Sequence, residues 1–222
     1  MEFRAYGSRE RLAVDLAEAM AGELRSALLG GDATLSVPGG TTPGPVFDLL
    51  SRADLDWSRV AVLLNDERWV EESSPRSNTR LLRERLLVNR AAQAQLLPLH
   101  APTVTPEVSL DRLADGIRPH LPVEVLLLGM GADMHTASLF PGADRLVEAL
   151  ADDAPILMPM RAEAAGEVRI TLTAPVLRAA KHIHIMITGA EKRAALERAQ
   201  GLPPEKAPVR TVLDRATVHW AE

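Results

Sequence analysis

The sequence predicts an α/β fold built on a mainly parallel sheet with helices over both faces. Three observations predict it. Short apolar runs alternate with amphipathic segments along the chain. Several of the runs are apolar throughout rather than alternating, as strands buried on both faces are. At 222 residues and 46% hydrophobic content, the chain is also long enough to bury a sizeable core unaided.

Residues 8–29 read as the first amphipathic helix. Leu12, Leu16, Met20, Leu24, Ala27 and Leu28 recur at three- and four-residue spacing. Gly30-Gly31 is expected to end it with a left-handed cap. Residues 33–37 are a short β-type run that opens into Pro38-Gly39-Gly40-Thr41-Thr42-Pro43-Gly44. A helix restarts over 43–50, with Thr42 as its N-cap and Pro43 in first position. Residues 60–65 form a near-continuous apolar strand ahead of Asp66-Glu67-Arg68-Trp69-Val70, and 77–87 are helical. Residues 95–99 give a short strand. Leu110, Leu113, Ala114, Ile117 and Leu121 mark another amphipathic helix. Residues 123–128 are a buried-type strand, 156–160 and 168–173 weaker candidates, and 182–188 a clear strand followed by a helix over 191–200. Segments 209–212 and 216–220 close the chain. The Pro-rich stretches 98–106 and 202–208 read as surface loops, so residues 1–222 are expected to form a single domain.

Composition excludes several chemistries. With no cysteine there is no disulfide framework, thiolate nucleophile or cysteine-held metal. That suits a cytoplasmic setting, and the N-terminal residues lack the apolar region of a secretory signal. No run approaches the roughly 18 apolar residues of a membrane span. The net charge of −5 disfavours nucleic acid and anionic membranes as partners. An anionic ligand would then need local cations and helix N-termini.

In an open parallel sheet, ligands bind beyond the C-terminal ends of the strands. Four strong strands end in polar or glycine-rich sequence: Gly39-Gly40-Thr41-Thr42, Asn65-Asp66-Glu67-Arg68, Gly129-Met130-Gly131-Ala132-Asp133-Met134-His135 and Gly189-Ala190-Glu191-Lys192. The first loop reads either as an anion cradle at a helix N-terminus or as a plain strand–turn–helix connection. Arg68 and Lys192 read either as anion ligands or as partners of Asp66, Glu67 and Glu191. Gly129-x-Gly131 lacks the third glycine of a dinucleotide fingerprint. Asp133 and His135 lack metal-ligating partners, and His182 and His184 fit the polar side of an alternating strand. Ser138 does not sit in a G-x-S-x-G elbow. A general-base reading remains: an imidazole titrates near ~6.5, and a neighbouring carboxylate orients it. Asp133 as the cap of a following helix, with His135 in its first turn, is the bland alternative.

Together, SVPGGTTP, NDERWV with SPRSNTRLL, LLLGMGADMHTASLFPG and ITGAEKRAAL resemble the ordered signatures of the 6-phosphogluconolactonase family, from about residue 36 to 200. The resemblance implies a three-layer α/β/α fold with a Rossmann-like, mainly parallel sheet, of the kind shared with glucosamine-6-phosphate deaminase and ribose-5-phosphate isomerase. It implies hydrolysis of 6-phospho-D-glucono-1,5-lactone to 6-phospho-D-gluconate in the oxidative pentose phosphate pathway, with no cofactor and no metal. By motif, Gly39, Gly40, Thr41 and Thr42 would cradle the phosphate, Arg68 and Lys192 would pair its charge, and His135 would activate water beside Asp133. Asp66, Asn78, Gly129, Gly131 and Arg169 would support the site. The partner implied is a small phosphosugar lactone, and the protein a monomer or small homo-oligomer. The rivals are a glucosamine-6-phosphate deaminase-like enzyme, disfavoured because Ser138-Leu139-Phe140-Pro141 holds no Glu, and a non-catalytic sugar-phosphate-binding domain. One departure stands out. Met134 occupies the family's Asp-Gly-His glycine position, at a cost of roughly 1 kcal/mol if that position requires positive φ.

Overall fold

The computed structural model describes Met1–Glu222, apart from the side chain of Ala164. The first half runs β1 (Glu2–Ala5), α1 (Arg9–Leu28), β2 (Ala33–Val37), α2 (Gly44–Leu50), β3 (Val60–Leu64), β4 (Asp66–Arg68), α3 (Asn78–Arg85), β5 (Gln95–Leu97) and α4 (Leu110–Ile117). The second half runs β6 (Val125–Gly129), α5 (Leu146–Leu150), β7 (Leu157–Met160), β8 (Arg169–Leu172), α6 (Ala174–Ala179), β9 (His182–Thr188), α7 (Ala190–Ala199), α8 (Arg210–Leu213) and β10 (Thr217–Ala221).

Seven strands form one sheet in the order β1-β10-β9-β6-β2-β3-β5, every pair parallel. Every residue of β2 and β3 is buried, so both faces of the sheet centre are covered. Leu12, Leu16, Met20 and Leu24 of α1 have no exposed surface. At about 1.5–3 kcal/mol for each fully buried large apolar side chain, this stripe is what fixes the helix to the sheet. Ser8 caps its start, accepting from the Arg11 amide at 3.2 Å.

The chain moves from β2 outward to β3 and β5, then returns to lay β6 on the other side of β2. The loops after β2 and β6 therefore leave in opposite directions and open a crevice between them, the topological switch point where α/β sheets hold ligands. A second sheet, β4-β8-β7, is antiparallel and grows directly out of the end of β3. Asn65 joins the two sheets. It accepts from the Ser36 hydroxyl at 2.6 Å and donates through Nδ2 to Leu127 O at 2.7 Å, while its carbonyl receives the Leu172 amide at 2.9 Å.

Four local expectations are corrected. The helix at 43–50 has Pro43 as N-cap and starts at Gly44, because Gly44 N donates to Thr41 O in a tight turn that pushes the start one residue along. Thr42 makes no capping bond. At the end of α1, Leu29 is right-handed and Gly30 N donates to Ala27 O, so the helix tightens to a stop without a left-handed cap. No helix begins at Asp133; the next one is α5. Finally, His184 is not on a polar strand face but buried. It is satisfied in a chain running from Tyr6, just after β1, to Glu23 of α1. Tyr6 O–H donates to His219 Nδ1 (2.8 Å), His219 Nε2–H to His184 Nδ1 (3.0 Å), and His184 Nε2–H to Glu23 (2.8 Å). Every buried polar atom in that chain is paired, which is what allows it inside the sheet.

Candidate active site

All four strand ends named from sequence belong to adjacent strands of the parallel sheet, β9-β6-β2-β3, and meet around one cleft of about 240 Å³. Its walls include Gly39, Gly40, Thr42, Asp66, Arg68, Asn78, Gly129, Gly131, His135, Arg169 and Lys192. Two expected residues do not line it. Thr41 is exposed outside the cleft lining, and Asp133 is hydrogen-bonded to the His135 ring without lining the cleft itself.

The Pro38–Pro43 loop carries backbone donors. Among the described residues, the N–H groups of Gly39, Gly40, Thr41 and Thr42 have no protein acceptor. Gly40 holds φ +84°, a conformation that costs glycine least. Gly39 is required for a different reason: a Cβ there would lie 2.0 Å from the Asn78 amide. Asn78 is held tightly against it, donating through Nδ2 to Asp66 O at 3.0 Å.

The placement of Asn78 and Arg68 traces to Glu67, which sequence reasoning left without a role. Its carboxylate is fully buried at the start of α3 and accepts from the amides of Asn78 (2.8 Å), Thr79 (2.6 Å) and Arg68 (2.7 Å) and from the Ser77 hydroxyl (3.1 Å). A carboxylate there satisfies donors that the helix start leaves open and interacts well with the helix dipole. The alternative that Arg68 and Lys192 are tied up in ion pairs is not met: among the described residues neither forms one. Arg68 Nη1 donates to Arg76 O.

The loop after β6 is a compact turn. Gly131 N donates to His135 O at 3.0 Å, and Met134 N returns to Gly131 O at 3.0 Å. Met134 sits at φ +68°, so the conformation expected of a glycine is kept although a methionine occupies it. Ala137 is also left-handed, at φ +49°. Each such residue carries on the order of 1–2 kcal/mol of strain, and both flank the one histidine in the cleft. Val209 N anchors the turn from outside by donating to Met134 O at 3.1 Å.

The result is a fixed His–Asp pair. Asp133 Oδ1 lies 2.6 Å from His135 Nδ1 and also accepts the His135 amide at 3.2 Å. The hydrogen bond from His135 holds the Asp133 carboxyl below its ordinary range. An ionised Asp133 accepts the Nδ1–H, which leaves the lone pair on Nε2. The imidazole is braced on Phe140, with ring centroids 4.3 Å apart. Gly131 makes room for the pair, since a Cβ there would meet His135 Nδ1 at 2.3 Å and Asp133 Oδ1 at 2.4 Å. Ser138 hydrogen-bonds Asp66, whose carboxylate also lies 3.6 Å from Arg169. Phe140 and Ser138, absent from the expected site, both lie in the HTASLFPG segment. The quoted motif was the available signal for them.

Among the described residues, no group of three or more His, Asp or Glu side chains is arranged to hold a metal ion, and no helix is long and apolar enough to cross a membrane. What the arrangement offers is a basic imidazole nitrogen at one end of a cleft, with backbone donors and cations at the other.

Residues 7–220 match the family model described as glucosamine-6-phosphate isomerases/6-phosphogluconolactonase. The chain is 41% identical over 219 residues to a 6-phosphogluconolactonase of Rhizobium meliloti (strain 1021), covering 93% of this chain and 94% of that protein. It is 42% identical over 226 residues to one from Pseudomonas aeruginosa, covering 98% and 93%. The crystal structure of a 6-phosphogluconolactonase from Shewanella baltica OS155 superposes with a TM-score of 0.96 at 34% identity, over 100% of this chain and 98% of that one.

Proposed function

The chain belongs to the glucosamine-6-phosphate isomerase/6-phosphogluconolactonase family and hydrolyses 6-phospho-D-glucono-1,5-lactone to 6-phospho-D-gluconate in the oxidative pentose phosphate pathway; we propose that it does so with His135 as general base. The observation that carries the proposal is the 2.6 Å Asp133–His135 contact at the edge of a cleft that also holds the Gly39–Thr42 loop, Arg68 and Lys192.

In this reading the phosphate takes the free N–H groups of Gly39–Thr42 and the charges of Arg68 and Lys192. That fixes the sugar ring with C1 toward His135. Nε2 takes a proton from water as the water oxygen bonds to C1, and the carbonyl oxygen becomes an oxyanion. Within the Gly129–Gly131 turn the donor left for that oxygen is the Met130 N–H, since Gly131 N already donates to His135 O. The intermediate collapses by breaking the bond from C1 to the ring oxygen, which receives the proton held on His135. Asp133 keeps the tautomer and stabilises the imidazolium between the two steps. The lactone is an activated ester, so this modest assistance suffices. Asp66, Asn78, Gly129, Gly131 and Arg169 shape the site around these groups. The whole chain acts as one domain on a small phosphosugar in the cytoplasm, as a monomer or small homo-oligomer.

The test is hydrolysis of freshly made lactone, coupled to gluconate-6-phosphate detection and corrected for the spontaneous rate. His135→Ala should lose on the order of 10²–10⁴-fold in kcat. A His135→Ala rate equal to wild type sinks the base assignment.

A further inference from the structure

Arg68 of β4 and Arg169 of β8 stand directly opposite each other across the antiparallel pair. Opposed residues place their side chains on one face, with Cβ atoms about 5 Å apart, and like charges so placed repel. Both side chains line the cleft. The carboxylates around them are already engaged. Glu67 is taken up by the start of α3, Asp66 is held by Ser138, and Glu167 contacts Arg76. Arg169 has only loose charge partners, Asp66 at 3.6 Å and Glu167 at 3.7 Å, and one hydrogen bond to Ala165 O at 3.3 Å. The Nε of both arginines is buried without a hydrogen-bond partner. Burial pushes the Arg169 guanidinium down and the charge of Arg68 adds to that, against the pull of Asp66 and Glu67. The side chain is nevertheless 12% exposed and packed over Phe140 at 5.8 Å, so it is held in place at the cleft wall.

We propose that Arg68 and Arg169 form a two-guanidinium clamp for the substrate's phosphate dianion, which makes Arg169 a direct substrate ligand and the second negative charge a determinant of specificity. A dianion between them removes the cross-strand repulsion and supplies acceptors for their unused N–H groups. The monoanion offsets one charge only. A phosphate monoester takes up its second proton near pH ~6, so affinity should fall below that point and fall more steeply with both arginines present. The proposal takes its substrate from the lactone reading, but inorganic phosphate tests it independently of hydrolysis.

The experiment is calorimetric titration of inorganic phosphate, 6-phosphogluconate and gluconate into wild type, Arg169→Gln and Arg169→Lys, near pH ~7.5 and again near pH ~5.5, on either side of the phosphate pKa. Arg169→Gln should weaken both phosphate-bearing ligands about 10- to 100-fold near neutrality, the worth of a charged hydrogen-bonded contact. Arg169→Lys should lose less, because it keeps the charge without the fork. The affinity ratio between the two pH values should be larger for wild type than for Arg169→Gln. If Arg169→Gln melts like wild type and binds inorganic phosphate within twofold of it, the clamp is overturned. Weakening of gluconate to the same degree as 6-phosphogluconate would also overturn it, placing Arg169 at the carboxyl end instead. Should Arg169→Gln fail to fold, undiminished phosphate binding by Arg169→Lys contradicts the proposal in its place. Tight phosphate binding by a wild type that does not hydrolyse the lactone would sink the hydrolase reading and leave the clamp standing.

Discussion

A single methyl group on Gly131 should disable the site while leaving the fold intact. The added Cβ would meet His135 Nδ1 at 2.3 Å and Asp133 Oδ1 at 2.4 Å. Non-bonded atoms settle near ~3.5 Å, so the ring and carboxylate must retreat together by about 1 Å. The backbone cannot absorb this easily, because Gly131 is tied at both ends of the turn, to His135 O and from Met134 N, at 3.0 Å each. Gly131 does not hold a positive φ, so Gly131→Ala adds a steric effect without backbone strain. A displacement of that size in a reacting group costs on the order of 10²-fold in rate, or about 2.7 kcal/mol in the barrier. The turn lies at the cleft surface and no core atom is removed, so stability should change by less than about 1 kcal/mol. The assay is kcat for lactone hydrolysis above background, with a thermal melt and phosphate binding as controls. A Gly131→Ala enzyme with kcat within about threefold of wild type would refute the reasoning that close packing over this glycine sets the His–Asp geometry.

Three further outcomes follow from the same structure. Asp133→Asn should lower kcat by about 10²-fold or more while phosphate binding holds, because an amide no longer fixes the Nδ1–H tautomer; unchanged kcat would show that Asp133 only shapes the turn. Met134→Gly should keep stability within about 1 kcal/mol and activity within a few-fold, since relief of the strained φ offsets the lost side chain and the backbone bonds to Gly131 and Val209 remain. Met134→Val, β-branched at the same φ, should cost about 1–2 kcal/mol by melting, and equal melts for all three proteins would count against strain at this position. Acid should unfold the protein through His219, which burial and the neighbouring His184 push down to about 3. Because this folded value lies below the unfolded one near ~6.5, stability is full above that point and declines as pH falls from there toward 3. The loss when fully expressed is on the order of 5 kcal/mol, at 1.36 kcal/mol for each unit of displacement. His219→Gln melted across that range should flatten the dependence, and an unaltered slope would place the acid sensitivity elsewhere.

The convergence of the site was legible because each strand end is local in sequence. An apolar run stops and a glycine or a charged residue follows, and the parallel order β9-β6-β2-β3 then brings all four stops together. Of the second sheet, β7 and β8 were readable as weak strand candidates over 156–160 and 168–173, but β4 and the pairing into a separate antiparallel sheet were not. β4 is three charged residues long and pairs with β8 a hundred residues later, with Asp66 opposite Thr171, and no periodicity reports such a pairing. β1 was missed for a similar reason: its four residues are all exposed and carry no burial pattern. The glycines were noticed but their reasons were not. Gly39 and Gly131 are small to admit Asn78 and the His–Asp pair, facts that depend on side chains brought in by other elements. The departure at Met134 was readable as an oddity, and the structure gives its resolution: the chain retains the left-handed turn and carries the strain. His184 was misplaced because the partners that make its burial tolerable, His219 and Glu23, lie 35 and 161 residues away.

The central claim is that one cleft holds the phosphate at the Gly39–Thr42 loop while presenting C1 to His135. A crystal structure of the wild-type protein with 6-phosphogluconate tests it most directly. The phosphate should lie against the amides of Gly39–Thr42 with Arg68 and Lys192 around it, and the C1 carboxylate within hydrogen-bonding reach of His135 Nε2, at about 2.6–3.2 Å. A product bound with its carboxylate at Arg68 and its phosphate beside His135, or bound outside this cleft, would contradict it.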